Sequence, residues 1–148
     1  MDVKIHKQKL SLESKNQIEF MDITDDVQKV ISDSGIREGI VTVFAPHTTM
    51  GIAVNQNEPM LVQDFMRILY KLAPMDDRYS HDLFELRRGS KSDGRSNGHS
   101  HCKSFLLGVG QTIPIEKGKM LLNERQSILA IEFDGSRKRD VIIHVMGI

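Results

Sequence analysis

Cysteine is nearly absent: Cys102 stands alone among 148 residues, so no internal disulfide can form, which fits a reducing compartment. Net charge is missing too. Twenty lysines and arginines balance twenty aspartates and glutamates, which removes any general reason to expect nucleic acid or an acidic membrane as partner. A basic patch, if present, is local. No apolar run approaches the roughly 18 residues that span a membrane. The N-terminal Met1-Asp2-Val3-Lys4-Ile5-His6 also lacks the apolar centre of a secretory signal. These absences give the expectation of a cytoplasmic protein with neither nucleic acid nor a membrane as partner. There is no internal repeat and no low-complexity tract, and the length suits one domain, residues 1–148, around a single core.

What is present is periodic. Val3 and Ile5 alternate with polar residues, and alternation returns through Ile18, Phe20 and Ile23, so two half-buried strands are expected. Thr24 with Asp25 and Asp26 opens a helix over 25–34, in which Val27, Val30 and Ile31 share a face before Gly35 stops it. Strands are expected over Ile40–Ala45 and Gly51–Asn55. Pro59 suits the first turn of a second helix, with Asn57 or Glu58 as cap, because a missing N–H costs nothing there. Leu61, Val62, Phe65, Met66, Leu69 and Leu72 then repeat at helical spacing to an end near Pro74. Residues 74–98 read as a long polar connection, a length that is usually functional or mobile. Beyond it, Thr112–Ile115 and Met120–Leu122 flank a turn at Lys117-Gly118, and Ile128–Phe133 joins Val141–Met146 through Asp134-Gly135-Ser136, a hairpin-type turn sequence. The order of elements indicates an α+β domain with mostly antiparallel strands and two main helices.

The residues that carry chemistry are histidines in polar segments. His47 follows a strand and a proline; it is either a metal ligand or general acid/base, or a turn histidine bonded to a backbone carbonyl. His99 and His101 are two apart in Asn97-Gly98-His99-Ser100-His101. On an extended segment they face one side, whereas on a helix they diverge by about 200°, so both can bind one ion only if the stretch is extended or irregular. His47 is then the third ligand that a zinc site needs. Asp64 is a candidate catalytic carboxylate, with an ion pair to Arg67 three residues on as the alternative. Asn57 borders a helix N-terminus, where anions are favoured. Arg87, Arg88, Lys91 and Arg95, with Lys103, form the one basic cluster, either a solvated loop or a phosphate-binding group. Cys102 reads as a small hydrophobe and His144 as structural.

The ordered set His47-Thr48-Thr49, Asn55-Gln56-Asn57-Glu58-Pro59 with Asp64, then Asn97-Gly98-His99-Ser100-His101-Cys102-Lys103-Ser104, Leu107-Gly108, Ile113-Pro114 and Gly118 resembles the YjbQ-like family over nearly the whole chain. The resemblance implies a compact α+β sandwich, a homotrimer, and a metal-capable histidine site near subunit boundaries, with zinc or magnesium as the divalent ion. It also implies a secondary thiamine-phosphate synthase activity, joining a pyrimidine methyl diphosphate to a thiazole phosphate with release of pyrophosphate. His47, Asn57, Asp64, His99, His101 and Lys103 match recurring family positions. Gln56 stands where many relatives have glutamate, and Arg125 where many have tryptophan; the first removes a ligand or base, the second a flat apolar wall.

Three functions follow as expectations. The first is a transferase acting on phosphorylated heterocycles, with His47, His99 and His101 gathering a metal and Arg87, Arg88, Arg95 and Lys103 serving phosphate. The second is a hydrolase using a metal-bound water. The third is a non-enzymatic trimeric module that binds a phosphorylated metabolite or a metal.

Overall fold

The computed structural model describes residues 1–87 and 95–148, without the side chains of 84–87. Along the chain run β1 (Lys4–Glu13), β2 (Glu19–Asp22), α1 (Thr24–Ser34), β3 (Gly39–Phe44), β4 (Met50–Asn55), α2 (Pro59–Leu72), α3 (Ser80–Arg87), α4 (Gly98–Leu107), β5 (Gly110–Glu116), β6 (Lys119–Met120), β7 (Ser127–Glu132) and β8 (Lys138–Gly147). The class is α+β, and every paired ladder among the described residues is antiparallel. Four helices are described, where periodicity indicates two. The additional pair, α3 and α4, carries little amphipathic patterning; α3 lies within residues 74–98, whose polar composition reads as loop, and α4 begins at its end.

Two sheets form, ordered β1-β8-β3-β5-β6 and β2-β7-β4. Their facing sides make the main core: Val41, Val43, Ile113, Val141, Ile143 and Val145 from the larger sheet meet Met50, Ile52, Ile128 and Ala130 from the smaller, and α1 adds Val27, Val30 and Ile31. The other side of the smaller sheet is also covered. Leu129, Ile131 and Phe133 pack with Leu69 of α2 and Leu107 of α4 in a second cluster. Burial on both faces explains why Ile128–Ile131 is apolar without alternation, a pattern otherwise typical of parallel strands. Among the described residues nothing covers the outer face of the larger sheet in this way, and Ile5, Ile40, Phe44 and Met146 are exposed there.

Glu58 caps α2, its carboxylate accepting from the N–H groups of Met60 and Leu61 at 2.9 and 2.7 Å. Gly35, at φ +69°, ends α1 in the left-handed conformation that glycine adopts without strain. Asp134-Gly135-Ser136 does not close a hairpin. β7 and β8 belong to different sheets, and the connection carries the chain from one to the other. Both flanking strands are apolar enough for a hairpin, so local pattern could not distinguish the two outcomes; the pairing of β8 with β1 and β3 decided it. No helix among the described residues is long and apolar enough to cross a membrane.

Candidate functional site

A cleft of about 870 Å³ opens where the ends of β3 and β8 meet α4 and the segment after β7. That volume lies in the range of small-molecule sites. Its walls combine His47, Thr48, Asn97, His101, Ser104, Asp134, Arg137 and Arg139 with an apolar side of Phe44, Pro46, Phe105 and Val109. Phe105 is 87% exposed at the rim.

His99 and His101 lie on α4, so their side chains diverge, and the expectation that they face one ion together is corrected. His101 reaches the cleft, where its ring meets His81 edge-on with centroids 4.5 Å apart. His99 turns into the protein and is 1% exposed. Its Nδ1 accepts from Lys103 Nζ at 2.8 Å, one helical turn on, and Lys103 Nζ also donates to the Ala73 carbonyl at 2.7 Å, at the end of α2. A lysine donor fixes the tautomer: His99 carries its proton on Nε2. Burial, then the nearby Lys103 charge, lowers the His99 pKa against the opposing pull of Asp134 and Asp82. Burial likewise lowers that of Lys103, with Cys102 acting the other way. The pair is an internal clamp between α2 and α4. Lys103 is therefore no phosphate ligand, since it is 1% exposed and its nitrogen is engaged by two internal acceptors.

His47 Nε2 sits 3.0 Å from the Asp140 carbonyl and 3.2 Å from the Asp140 N–H, the backbone-bonded arrangement of a turn histidine at the edge of the cleft. Among the described residues no group of three or more histidine, cysteine, aspartate or glutamate side chains could hold a metal. His47, His99 and His101 thus do not make a three-histidine site within one chain. Asp64 is paired with Arg67 at 2.8 Å on the exposed face of α2, and Asn57 donates to Asp22 at 3.0 Å; neither lines the cleft. The side chain of Arg87, together with Arg88 and Lys91, lies outside the described residues.

Arg95 does join the site, donating through Nη1 to the backbone carbonyl of Asp134 at 2.9 Å and to its carboxylate at 3.3 Å. Asp134 is the hub. Its Oδ2 accepts from Arg137 Nη2 at 2.8 Å and from Asn97 Nδ2 at 3.0 Å. Because the Asn97 amide nitrogen faces that carboxylate, its Oδ1 faces His81 Nε2 at 3.0 Å, and His81 must supply the proton. A hydrogen-bonded chain therefore links Arg137 to the ring packed against His101.

A second ion pair lies beneath. Glu132, fully buried, accepts from Arg139 Nε at 2.9 Å, from Arg139 Nη2, from Ser14 Oγ at 2.8 Å and from the Asp134 N–H at 3.2 Å. Arg139 Nη2 also donates to Thr49 Oγ1 at 2.7 Å. Burial raises the Glu132 pKa most strongly of any one influence, yet the hydrogen bonds from Arg139, Ser14 and Asp134, with the Arg139 charge, together hold it below the usual carboxylate value. Sequence reasoning missed Thr49, Glu132, Asp134, Arg137 and Arg139 as site residues. A signal existed: Arg139 has the same strand parity as Val141, Ile143 and Val145, and Glu132 closes an apolar run, so both charges occupy core registers.

Comparison with known proteins agrees with this fold. The UPF0047 protein YjbQ-like family model matches residues 8–148. A UPF0047 protein of Archaeoglobus fulgidus is 36% identical over 137 residues, covering 93% of this chain and 98% of its own. The Bacillus subtilis UPF0047 protein YugU is 32% identical, with coverage of 93% and 97%. The crystal structure of a YbjQ-like protein of unknown function from Sulfolobus solfataricus superposes with a TM-score of 0.90 at 26% identity, covering 99% of this chain and 100% of that one. An uncharacterised YjbQ/UPF0047 protein from Clostridium acetobutylicum gives 0.82 at 37% identity, covering 93% and 98%. With a family model spanning all but its first seven residues, and the same two-sheet fold in solved relatives, the chain belongs to the UPF0047 YjbQ-like family.

Proposed function

We propose that the cleft is the active site of a cytoplasmic transferase that joins two phosphorylated heterocycles, the secondary thiamine-phosphate synthase chemistry that the family resemblance implies. One observation carries the reading: a single cleft of ligand size brings two imidazoles and two guanidinium groups against an apolar aromatic wall. In this reaction a ring nitrogen of the thiazole phosphate displaces diphosphate from the pyrimidine methyl carbon, and the departing oxygen takes up negative charge. Arg137 and Arg139 are placed to bind that charge, and Phe44, Pro46 and Phe105 offer a dry surface to the rings. His47 and His101 are the available proton carriers.

The reading includes a homotrimer, for which the exposed Ile5, Ile40, Phe44 and Met146 supply apolar surface. A divalent ion, zinc or magnesium, does not find three donors gathered among the described residues of one chain; at this cleft substrate phosphate or a second copy would complete its shell, and no step is assigned to it. A metal-dependent hydrolase has less support for the same reason.

The test is formation of thiamine phosphate from the two precursors by the folded full chain, with Mg²⁺ or Zn²⁺ supplied. Turnover that disappears in His101→Ala, with size and fold retained, supports the proposal. No product under any of these conditions sinks it. In that case a module that holds a phosphorylated metabolite without turnover takes its place. That second reading is favoured by one feature, the engagement of both cleft arginines by internal carboxylates.

A further inference from the structure

We infer that Arg139 is the anion-binding group of the cleft, its Nη1 edge taking one phosphate group of the substrate with help from Arg137 and Thr48. The inference rests on the reading of the cleft as a site for phosphorylated molecules and names the residue that recognises the phosphate. A guanidinium has five N–H donors in a fixed fork. In Arg139 the Nε donor is used by Glu132, and the Nη2 donors by Glu132 and Thr49. The two Nη1 donors have no partner among the described residues.

Those donors are not sealed away. Among the described residues only the Nε2 atoms of His6 and His144 are both buried and unpartnered, so Nη1 meets solvent, and Arg139 forms part of the cleft wall. With the residue 5% exposed, the opening is narrow and directional. A purely structural ion pair has no need of a free edge turned toward a ligand-sized space. Here the guanidinium is held rigid by Glu132, itself fixed by Ser14 and the Asp134 N–H, so little side-chain freedom is lost when an anion arrives. Arg137 and the Thr48 hydroxyl on the same walls suit a tetrahedral anion with several acceptor oxygens better than a planar carboxylate.

Inorganic phosphate titrated calorimetrically into the wild-type full chain, at constant ionic strength, tests this. Saturable binding at one site per chain is expected, weakened at least tenfold in the double variant Glu132→Gln/Arg139→Met, which removes both buried charges together. Binding that is not saturable, affinity unchanged in the folded double variant, or acetate bound as tightly as phosphate overturns the inference. If the double variant does not fold, a phosphate-soaked crystal of the wild type decides: an ion within hydrogen-bond reach of Arg139 Nη1 supports the subsite, and an ion found only elsewhere, or none, overturns it. The two readings fail separately. Phosphate bound through Arg139 without thiamine phosphate formation removes the synthase and keeps the subsite; synthase turnover unaffected by the double substitution does the reverse.

Discussion

Replacing Glu132 by glutamine keeps the shape of the side chain and removes its charge beneath the cleft, so it isolates what the buried ion pair contributes. Glu132 is fully buried and Arg139 is 5% exposed, so the carboxylate has no water to fall back on and the guanidinium meets it only along its Nη1 edge. Glutamine leaves the guanidinium buried against a neutral amide, and removing one partner of a buried pair costs about 3–5 kcal/mol. Arg139→Met should cost a similar amount, because the carboxylate keeps only Ser14 and the Asp134 N–H. The double variant removes both charges. The single amide oxygen of its new glutamine can still accept from Ser14 or from the Asp134 N–H, which meet different carboxylate oxygens of Glu132, so the remaining losses are one of these bonds and the one to Thr49, and the total should be only about 1–3 kcal/mol.

The expected signature is strong non-additivity, with the double variant more stable than either single one. Urea unfolding with matched m-values measures it, and each single variant should also melt roughly 6–20 °C below wild type, at about 2–4 °C per kcal/mol for a chain of this size. A double-variant cost equal to the sum of the singles, or a Glu132→Gln cost under about 1 kcal/mol, would refute the reasoning, because either result means the charges are not mutually dependent.

The same pair predicts a pH dependence. Glu132 has a folded pKa held below its unfolded value, so its contribution is complete above the ordinary carboxylate range and is lost as pH falls through the folded value; acid unfolding should be steeper in wild type than in the double variant. His99 and Lys103 have folded values lowered by burial, so the folded protein binds fewer protons there than the unfolded chain, and stability gains from this clamp as pH rises. Lys103→Met should cost about 1–3 kcal/mol at about pH 7, by stranding the Ala73 carbonyl and His99 Nδ1. It should also flatten the stability profile on the alkaline side, and a denaturation series from about pH 6 to about pH 10 checks both effects. Gly98→Ala should destabilise by about 1–3 kcal/mol, because a new Cβ would collide with Tyr79; an unchanged melting temperature would show that the segment just before α3 yields freely. If the purified protein holds a divalent ion, elemental analysis should find it lost from His47→Ala and His101→Ala but kept in His99→Gln, whose ring faces inward.

Sequence by itself determined the elements whose covered face shows in their own periodicity. α1, α2 and the strands of both sheets were legible because a periodicity of 3.6 or 2 records which face is covered, whatever covers it. Pro59 and Glu58 mark the start of α2 through purely local chemistry. His101 and His47 stood out for their polar surroundings, and both line the cleft. Tertiary structure decided the rest. Whether residues 98–107 coil or extend sets where His99 points, and a segment with little amphipathic pattern does not announce its choice. The packing of α4 against β4 and the docking of Lys103 on the end of α2 make it. Arg139 and Glu132 lie seven residues apart on strands of different sheets, and what joins them is the crossing at Asp134–Arg137, a non-local consequence of β8 pairing with β1 and β3. Charges in core registers are visible in sequence, but the partner that makes each one tolerable is fixed only when the sheets close on each other.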